Sequence, residues 1–188
     1  DLETTQWLAG HCQDRAWSFL DAPFTGSRDA AAAGELVYYI GGDEDLITEL
    51  TPTLLETAKK VIHTGGIGTA TILKLVTNLI SACSVQAMAE AMATARKHGI
   101  APEALIDVVG ANACGSPLAA MKLPTMAKGD FDTHFSLSNM LKDSRYALEL
   151  ASGLDTPAIA AVSERMKQLC EEGLADLDYS ALAKPYLD

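Results

Sequence analysis

Residues Thr69–Lys97 read TATILKLVTNLISACSVQAMAEAMATARK, and this stretch decides what kind of fold the chain can build. It is apolar nearly all round: Lys74 and Glu90 are its only Lys, Arg, Asp or Glu before Arg96. A helix apolar on every face is buried on every face, in a large core or a subunit interface. At about 1.5 Å per residue it runs roughly 40 Å, longer than a typical globular helix. A bilayer span needs about 20 predominantly apolar residues, and the most apolar part here is interrupted by Lys74, Asn78, Gln86 and Glu90. The reading is therefore a buried helix of a soluble protein, with no membrane partner.

Downstream the pattern stays helical. Amphipathic segments are expected at Pro102–Gly110, Pro117–Lys128, Leu137–Ser152, Pro157–Glu172 and Tyr179–Lys184. Pro102, Pro117 and Pro157 stand at first turns, where a missing N–H costs nothing. Gly99, Gly115, Gly129, Gly153 and Gly173 punctuate the boundaries.

Upstream the chain reads as α/β. Ala16–Leu20 is a short apolar run ended by Asp21-Ala22-Pro23, a candidate first strand. Leu36–Ile40 is β-branched and aromatic and stops at Gly41-Gly42; Val61-Ile62 is a third candidate, stopped by Gly65-Gly66. Between the last two, Leu46, Ile47, Leu50, Leu54 and Leu55 form a helical stripe with Asp43 as N-cap, long enough for a parallel crossover. The shorter first connection suits antiparallel pairing. A further helix is expected over Leu2–Gln13. Three strands are few for an open α/β sheet and leave an edge for another strand to pair with. The expected architecture is mostly α. Residues 1–68 form the C-terminal part of a Rossmann-type α/β domain whose first half is absent, and residues 69–188 form an all-helical domain. The parent polypeptide is expected to extend N-terminally by roughly 100 residues, two to three βαβ units.

A chain of 188 residues, 48% hydrophobic, can bury a sizeable core. Its 14 Lys plus Arg against 25 Asp plus Glu give a net charge of −11, which repels phosphodiester backbones and argues against nucleic acid. The four cysteines are scattered, with no CxxC pair, and favour a reducing, cytoplasmic setting over a disulfide framework. The four histidines have no metal-ligand spacing, so no metal is expected.

Three constellations could carry chemistry. In Asp21-Ala22-Pro23-Phe24-Thr25-Gly26-Ser27, successive small residues can turn N–H groups and the Thr25 hydroxyl toward one point, an anion-binding concavity. The same residues also suit an ordinary strand-to-loop turn. Gly65-Gly66-Ile67-Gly68 leads into a helix where Lys74 and Asn78 lie one turn apart on one face. Desolvation and the helix N-terminus both disfavour a charged lysine there, which tunes it toward acid/base work. A snorkelling lysine beside a satisfied asparagine fits the same spacing. Lys142-Asp143, after Phe135, reads on local chemistry as a solvated surface pair.

Taken in order, these segments resemble the β-hydroxyacid dehydrogenase family, which includes 3-hydroxyisobutyrate dehydrogenase, tartronate semialdehyde reductase and the glyoxylate/succinic semialdehyde reductases. Asp21–Ser27 matches the substrate motif D-A-P-V-S-G-[GS], with Thr25 for its usual serine and Phe24 for a small aliphatic. Gly65, Gly68, Lys74 and Asn78 match G-x-x-G-x-G-x-x-x-K-x-x-x-N, with Ala70 at one glycine. Phe135 with Lys142-Asp143 matches the late aromatic and K-D. Gly34-Glu35-Leu36 and Gly41-Gly42 fall where the family has G-x-L and its following glycine.

The resemblance implies a Rossmann-type domain joined by the long helix to an all-helical domain like the C-terminal domain of 6-phosphogluconate dehydrogenase. It implies an NADP or NAD cofactor and a small hydroxy acid or its semialdehyde as substrate. Separately, the all-round apolar helix Thr69–Lys97 is expected to be covered by other helices and by a second copy of the chain, giving a homodimer or homotetramer. Lys74 inherits the role of general acid/base, with Asn78 on the reacting oxygen. Thr25, Gly26 and Ser27 are implied to bind substrate, and Lys142, Phe135 and Gly68 the cofactor. Ser116–Met126 and the Gly26-Ser27 form look closest to the glyoxylate/succinic semialdehyde branch. Two alternatives stay open: the same chemistry on 3-hydroxyisobutyrate or tartronate semialdehyde, and a non-catalytic helical dimerisation module. The family's GxGxxG pyrophosphate loop is not in this sequence.

Overall fold

A computed structural model describes residues 1–187 and divides into two compact units, Asp1–Thr77 and Asn78–Asp188, the division falling within one continuous helix.

The first unit is built on three strands in the order β1-β2-β3. Helix α1 (Leu2–Gln13) is capped by Asp1, whose carboxylate accepts from the Thr4 N–H. Strand β1 is Phe24–Thr25 and pairs antiparallel with β2, Leu36–Gly41, across the short α2, Arg28–Ala32. Helix α3 (Glu44–Leu54) starts at Asp43, whose side chain accepts from the Leu46 N–H, and returns the chain to β3, Ala58–Gly65, parallel to β2. Both strand directions follow from connection length, as the sequence implies.

The first strand is not where apolarity placed it. Residues 17–20 form no strand, and pairing begins with a single bridge at Asp21–Gly41. The cause is the length of β2: its six residues are used up at Gly41, so residues N-terminal to Asp21 would pair beyond its end. The third strand is longer than the apolar pair Val61-Ile62 alone indicated, because exposed Lys59 and Lys60 continue the ladder.

Helix α4 is Thr69–Lys97. By length and composition alone it is long and apolar enough to cross a bilayer. In the second unit its Ala82, Val85, Ala89 and Met92 are sealed in a helical core. Around it lie α5 (Pro102–Ala111), α6 (Pro117–Lys128), α7 (Leu137–Leu150) and α8 (Pro157–Leu169). Met126, Leu137, Met166, Leu169 and Leu182 are all fully buried, each stabilising by about 1.5–3 kcal/mol relative to exposure. Helix α4 is not covered on every face: Leu73, Val76 and Ile80 are each at least 40% exposed, a stripe at helical spacing.

Two ends differ from the periodic pattern. Helix α8 stops at Leu169, three residues early, and the chain widens into a π turn over Cys170–Leu174 that Gly173, at φ +89°, can close. The last segment, Tyr179–Tyr186, is a 3₁₀ helix rather than an amphipathic α-helix; Tyr179 through Ala183 are all buried, so it is a core plug.

Candidate active site

In the first unit, the segment after residue 20 is tied to the start of α4 by one carboxylate. Asp21 is 4% exposed. Its Oδ2 accepts the N–H of Gly68 (3.0 Å) and of Thr71 (2.9 Å), and its Oδ1 accepts the Thr71 hydroxyl (2.7 Å). The first N–H groups of a helix lack intrahelical partners and carry partial positive charge, so a buried carboxylate is both satisfied and neutralised there. The Asp21–Ser27 loop and the helix bearing Lys74 thereby become one construction.

Within that loop, Thr25 lies in β1 opposite Val37 and is half-buried. Gly26 has φ +145°, and a Cβ there would meet Leu36 Cδ2 at 2.7 Å, so the turn needs glycine. Ser27 Oγ accepts from the Ala30 N–H at 3.2 Å, which makes it the N-cap of α2. Gly68, at φ +93°, gives its N–H to Asp21 and so presents no free N–H to a cofactor. Lys74 is half-buried in the second turn of α4.

In the second unit, Asn78 is 9% exposed and its Nδ2 donates to Asp143 Oδ2 at 2.7 Å. The other oxygen, Oδ1, lies 3.1 Å from Lys142 Nζ. Asp143 is 7% exposed, so the sequence reading of Lys142-Asp143 as a solvated pair holds only for the lysine. The signal was present: Asp143 stands three residues after Met140 and four before Ala147, on the buried stripe of α7. Asp143 fixes which way the Asn78 amide faces, and so where its carbonyl oxygen points. Phe135 is half-buried just before α7, its ring edge-on to Tyr179 at 6.2 Å.

Consecutive stretches of the chain match two family models. Residues 1–66 match the NAD binding domain of 6-phosphogluconate dehydrogenase, and residues 68–186 match the NAD-binding domain of NADP-dependent 3-hydroxyisobutyrate dehydrogenase. The chain belongs to the β-hydroxyacid dehydrogenase family. Among similar relatives, the chloroplastic glyoxylate/succinic semialdehyde reductase 2 of Arabidopsis thaliana is 33% identical across 97% of this chain and 51% of its own length. Glyoxylate/succinic semialdehyde reductase 1 of the same plant is 30% identical across 97% of the chain and 64% of its own length. The chain therefore spans between half and two thirds of the length of these two relatives. A solved structure of Mycobacterium tuberculosis 3-hydroxyisobutyrate dehydrogenase with L-serine is 27% identical, covers all of this chain and 67% of its own, and has a TM-score of 0.90. The architecture, a Rossmann-type α/β part followed by an all-helical domain, is that of the family. Both matched models are NAD-binding, so NAD(P) is the cofactor class of the family to which the chain belongs.

The residues present fit the contact with such a cofactor in part. Lys142 keeps a side chain 55% exposed, a cation of the sign a dinucleotide phosphate requires, and Phe135 offers a ring on a backbone whose N–H and C=O are both bonded.

Proposed function

We propose that this chain carries the acid/base and substrate-carboxylate groups of a cytoplasmic NAD(P)-dependent oxidoreductase. The reaction interconverts a small 3-hydroxy acid and its semialdehyde, glyoxylate or succinic semialdehyde being the first substrates to test. The observation that carries this reading is the Asp21 clamp, which makes the Thr25-Gly26 turn and the start of the lysine-bearing helix one body.

In the proposed mechanism Thr25 and Gly26 hold the substrate carboxylate. Asn78, its amide oriented by Asp143, holds the reacting oxygen. Lys142 and Phe135 hold the cofactor, whose nicotinamide, when bound, supplies or accepts the hydride. As the carbonyl carbon gains hydride its oxygen becomes an alkoxide, a strong base. Lys74 gives that oxygen a proton from its ammonium, becomes a neutral amine, and is reprotonated from solvent. In oxidation the amine takes the hydroxyl proton as hydride leaves. A general acid/base must give up and take back a proton in one catalytic cycle, and the amine of Lys74, half-buried in the second turn of α4, has the chemistry for both directions.

Lys74→Ala in the complete gene product tests this. A positioned acid contributes about 10²–10⁴-fold, so turnover of either semialdehyde should fall by that factor, while NAD(P)H affinity measured by nicotinamide fluorescence stays near wild type. Lys74→Arg should fail almost as badly, because a guanidinium keeps the charge but does not release its proton near neutral pH. Wild-type turnover by Lys74→Ala with every small semialdehyde offered would overturn the assignment and favour a non-catalytic module.

A further inference from the structure

The helical unit buries one ion pair that no step above uses. Lys122 Nζ lies 2.7 Å from Asp178 Oδ1, the two residues 3% and 1% exposed, and the ammonium stands 4.6 Å from the centre of the Tyr179 ring. Taking two charges out of water costs several kcal/mol each, and well-packed apolar residues often serve stability as well or better. Stability alone is thus a weak reason for this pair.

What Asp178 holds gives a better one. Its Oδ1 also accepts the Ser180 N–H at 2.9 Å and the Ser180 hydroxyl at 2.7 Å. Its Oδ2 accepts the backbone N–H of His134 at 3.2 Å and of Phe135 at 3.1 Å. The next residue finishes the grip: Tyr179 N–H donates to the Phe135 carbonyl at 3.0 Å, and the two rings meet edge to face. The chain directly after is fixed too, since Leu137 N–H donates to the Leu177 carbonyl at 2.8 Å at the start of α7. Phe135 is therefore held by its N–H, its C=O and its ring, all through Asp178 and Tyr179.

The charge on Asp178 matters to this geometry. Burial works to raise its pKa, but hydrogen bonds from Lys122 and Ser180 outweigh burial and hold the carboxyl below the usual range. Burial and the adjacent Asp178 charge push the Tyr179 phenol far up, so it stays neutral. Among the described residues, the five groups bonded to the two carboxylate oxygens are all donors. An asparagine offers one acceptor and one NH2, and whichever way it turns, the NH2 meets either Lys122 and Ser180 or the two backbone amides.

We propose that Asp178, kept paired by Lys122, is a positioning residue that sets Phe135, and through the start of α7 sets Lys142 and Asp143, for cofactor and substrate. This rests on the reading of Phe135 and Lys142 given above. Neither Asp178 nor Lys122 touches a reacting atom; they act through the loop they hold.

The test uses the complete gene product and compares Asp178→Asn, Ser180→Ala, Phe135→Leu and a core control, Ile159→Val. Displacing a site group by about 1 Å can cost on the order of 10²-fold, so Asp178→Asn should lower kcat/KM by about 10–10²-fold and weaken NAD(P)H binding. Amide exchange at His134 and Phe135 should quicken in parallel, while Ile159→Val lowers thermal stability and leaves the kinetics alone. Should Asp178→Asn not fold, Ser180→Ala carries the same test with one donor of five removed, and a smaller loss in the same direction is expected. Faster Phe135 exchange with unchanged kinetics in a folded variant overturns the proposal, provided Phe135→Leu is itself impaired. A silent Phe135→Leu instead overturns the reading of Phe135, and the positioning role with it.

Discussion

Asp21 and Asp178 solve the same problem in the two units by different means. Each is a nearly sealed carboxylate, 4% and 1% exposed, that joins segments more than 40 residues apart. The described hydrogen bonds to Asp21 come from uncharged donors, two N–H groups and one hydroxyl at the beginning of α4. Asp178 is met by a buried ammonium, two Ser180 groups and two loop amides. A carboxylate can be buried against the partial charge of a helix start or against a full cation, and the two supports have different failure modes. Weakening the first costs hydrogen bonds from uncharged donors, one bond buried and two part-buried. Removing the cation from the second leaves an uncompensated charge in a core.

The largest difference should therefore appear when each support is removed. Lys122→Met strands Asp178 and should destabilise the helical unit by about 3–5 kcal/mol. Asp21→Asn keeps an acceptor but gives up a charge-assisted bond, and should cost about 1.5–3 kcal/mol. Both tryptophans, Trp7 and Trp17, lie in the first unit, so urea unfolding followed by tryptophan fluorescence reads Asp21→Asn. Far-ultraviolet circular dichroism, dominated by the helical unit, reads Lys122→Met. A Lys122→Met cost no greater than that of Asp21→Asn would break the contrast.

These two anchors also show what could be read from the sequence and what could not. Helix boundaries in α1, α4 and α6 followed from periodicity, proline at N1 and capping residues, all of which are local. The candidate residues Thr25, Lys74, Asn78 and Lys142 came from motif spacing, which is also local. The partners of the two aspartates are not. Asp21 reaches Thr71 across 50 positions and Lys122 reaches Asp178 across 56, and no periodicity spans such a gap. The same limit explains the misplaced first strand, since apolarity at residues 17–20 could not reveal that β2 ends at Gly41. Ser27 illustrates a third case: the residue stands in the motif, but its hydroxyl caps α2, a role its neighbours Arg28–Ala32 made available.

Acid sharpens the comparison with a smaller effect. The folded pKa of Asp178 lies below its ordinary value of about 3.9, so its share of stability is complete above that pH and is lost as pH falls through the lowered folded value. Asp178→Asn has no proton to take up there. The stability gap between wild type and Asp178→Asn should therefore be constant near neutrality and narrow below about pH 4. Urea midpoints by circular dichroism at a series of acidic pH values check this, and a gap that widens on acidification would contradict the pairing.

The smallest effect comes from a matched pair of hydroxyl deletions. Thr71 Oγ1 donates to Asp21 Oδ1 at 2.7 Å, and Ser180 Oγ donates to Asp178 Oδ1 at the same distance. Geometry alone gives the two bonds equal value, but their surroundings differ. Asp178 Oδ1 retains the Lys122 ammonium and the Ser180 N–H after Ser180→Ala, so the loss is cushioned. Among the described residues, Asp21 Oδ1 is bonded by the Thr71 hydroxyl alone, the backbone N–H groups being on Oδ2. Thr71→Val keeps the shape of the side chain and leaves that oxygen without a donor. It should cost about 1.5–3 kcal/mol, the range for a bond to a charged group, whereas Ser180→Ala should stay nearer about 0.5–1.5 kcal/mol. The difference is small enough that both variants must be measured in one protein by one method, with unchanged urea dependence in each. A Ser180→Ala cost larger than that of Thr71→Val would mean that the lysine does not share the load at Asp178, and that the two anchors are more alike than their partners indicate.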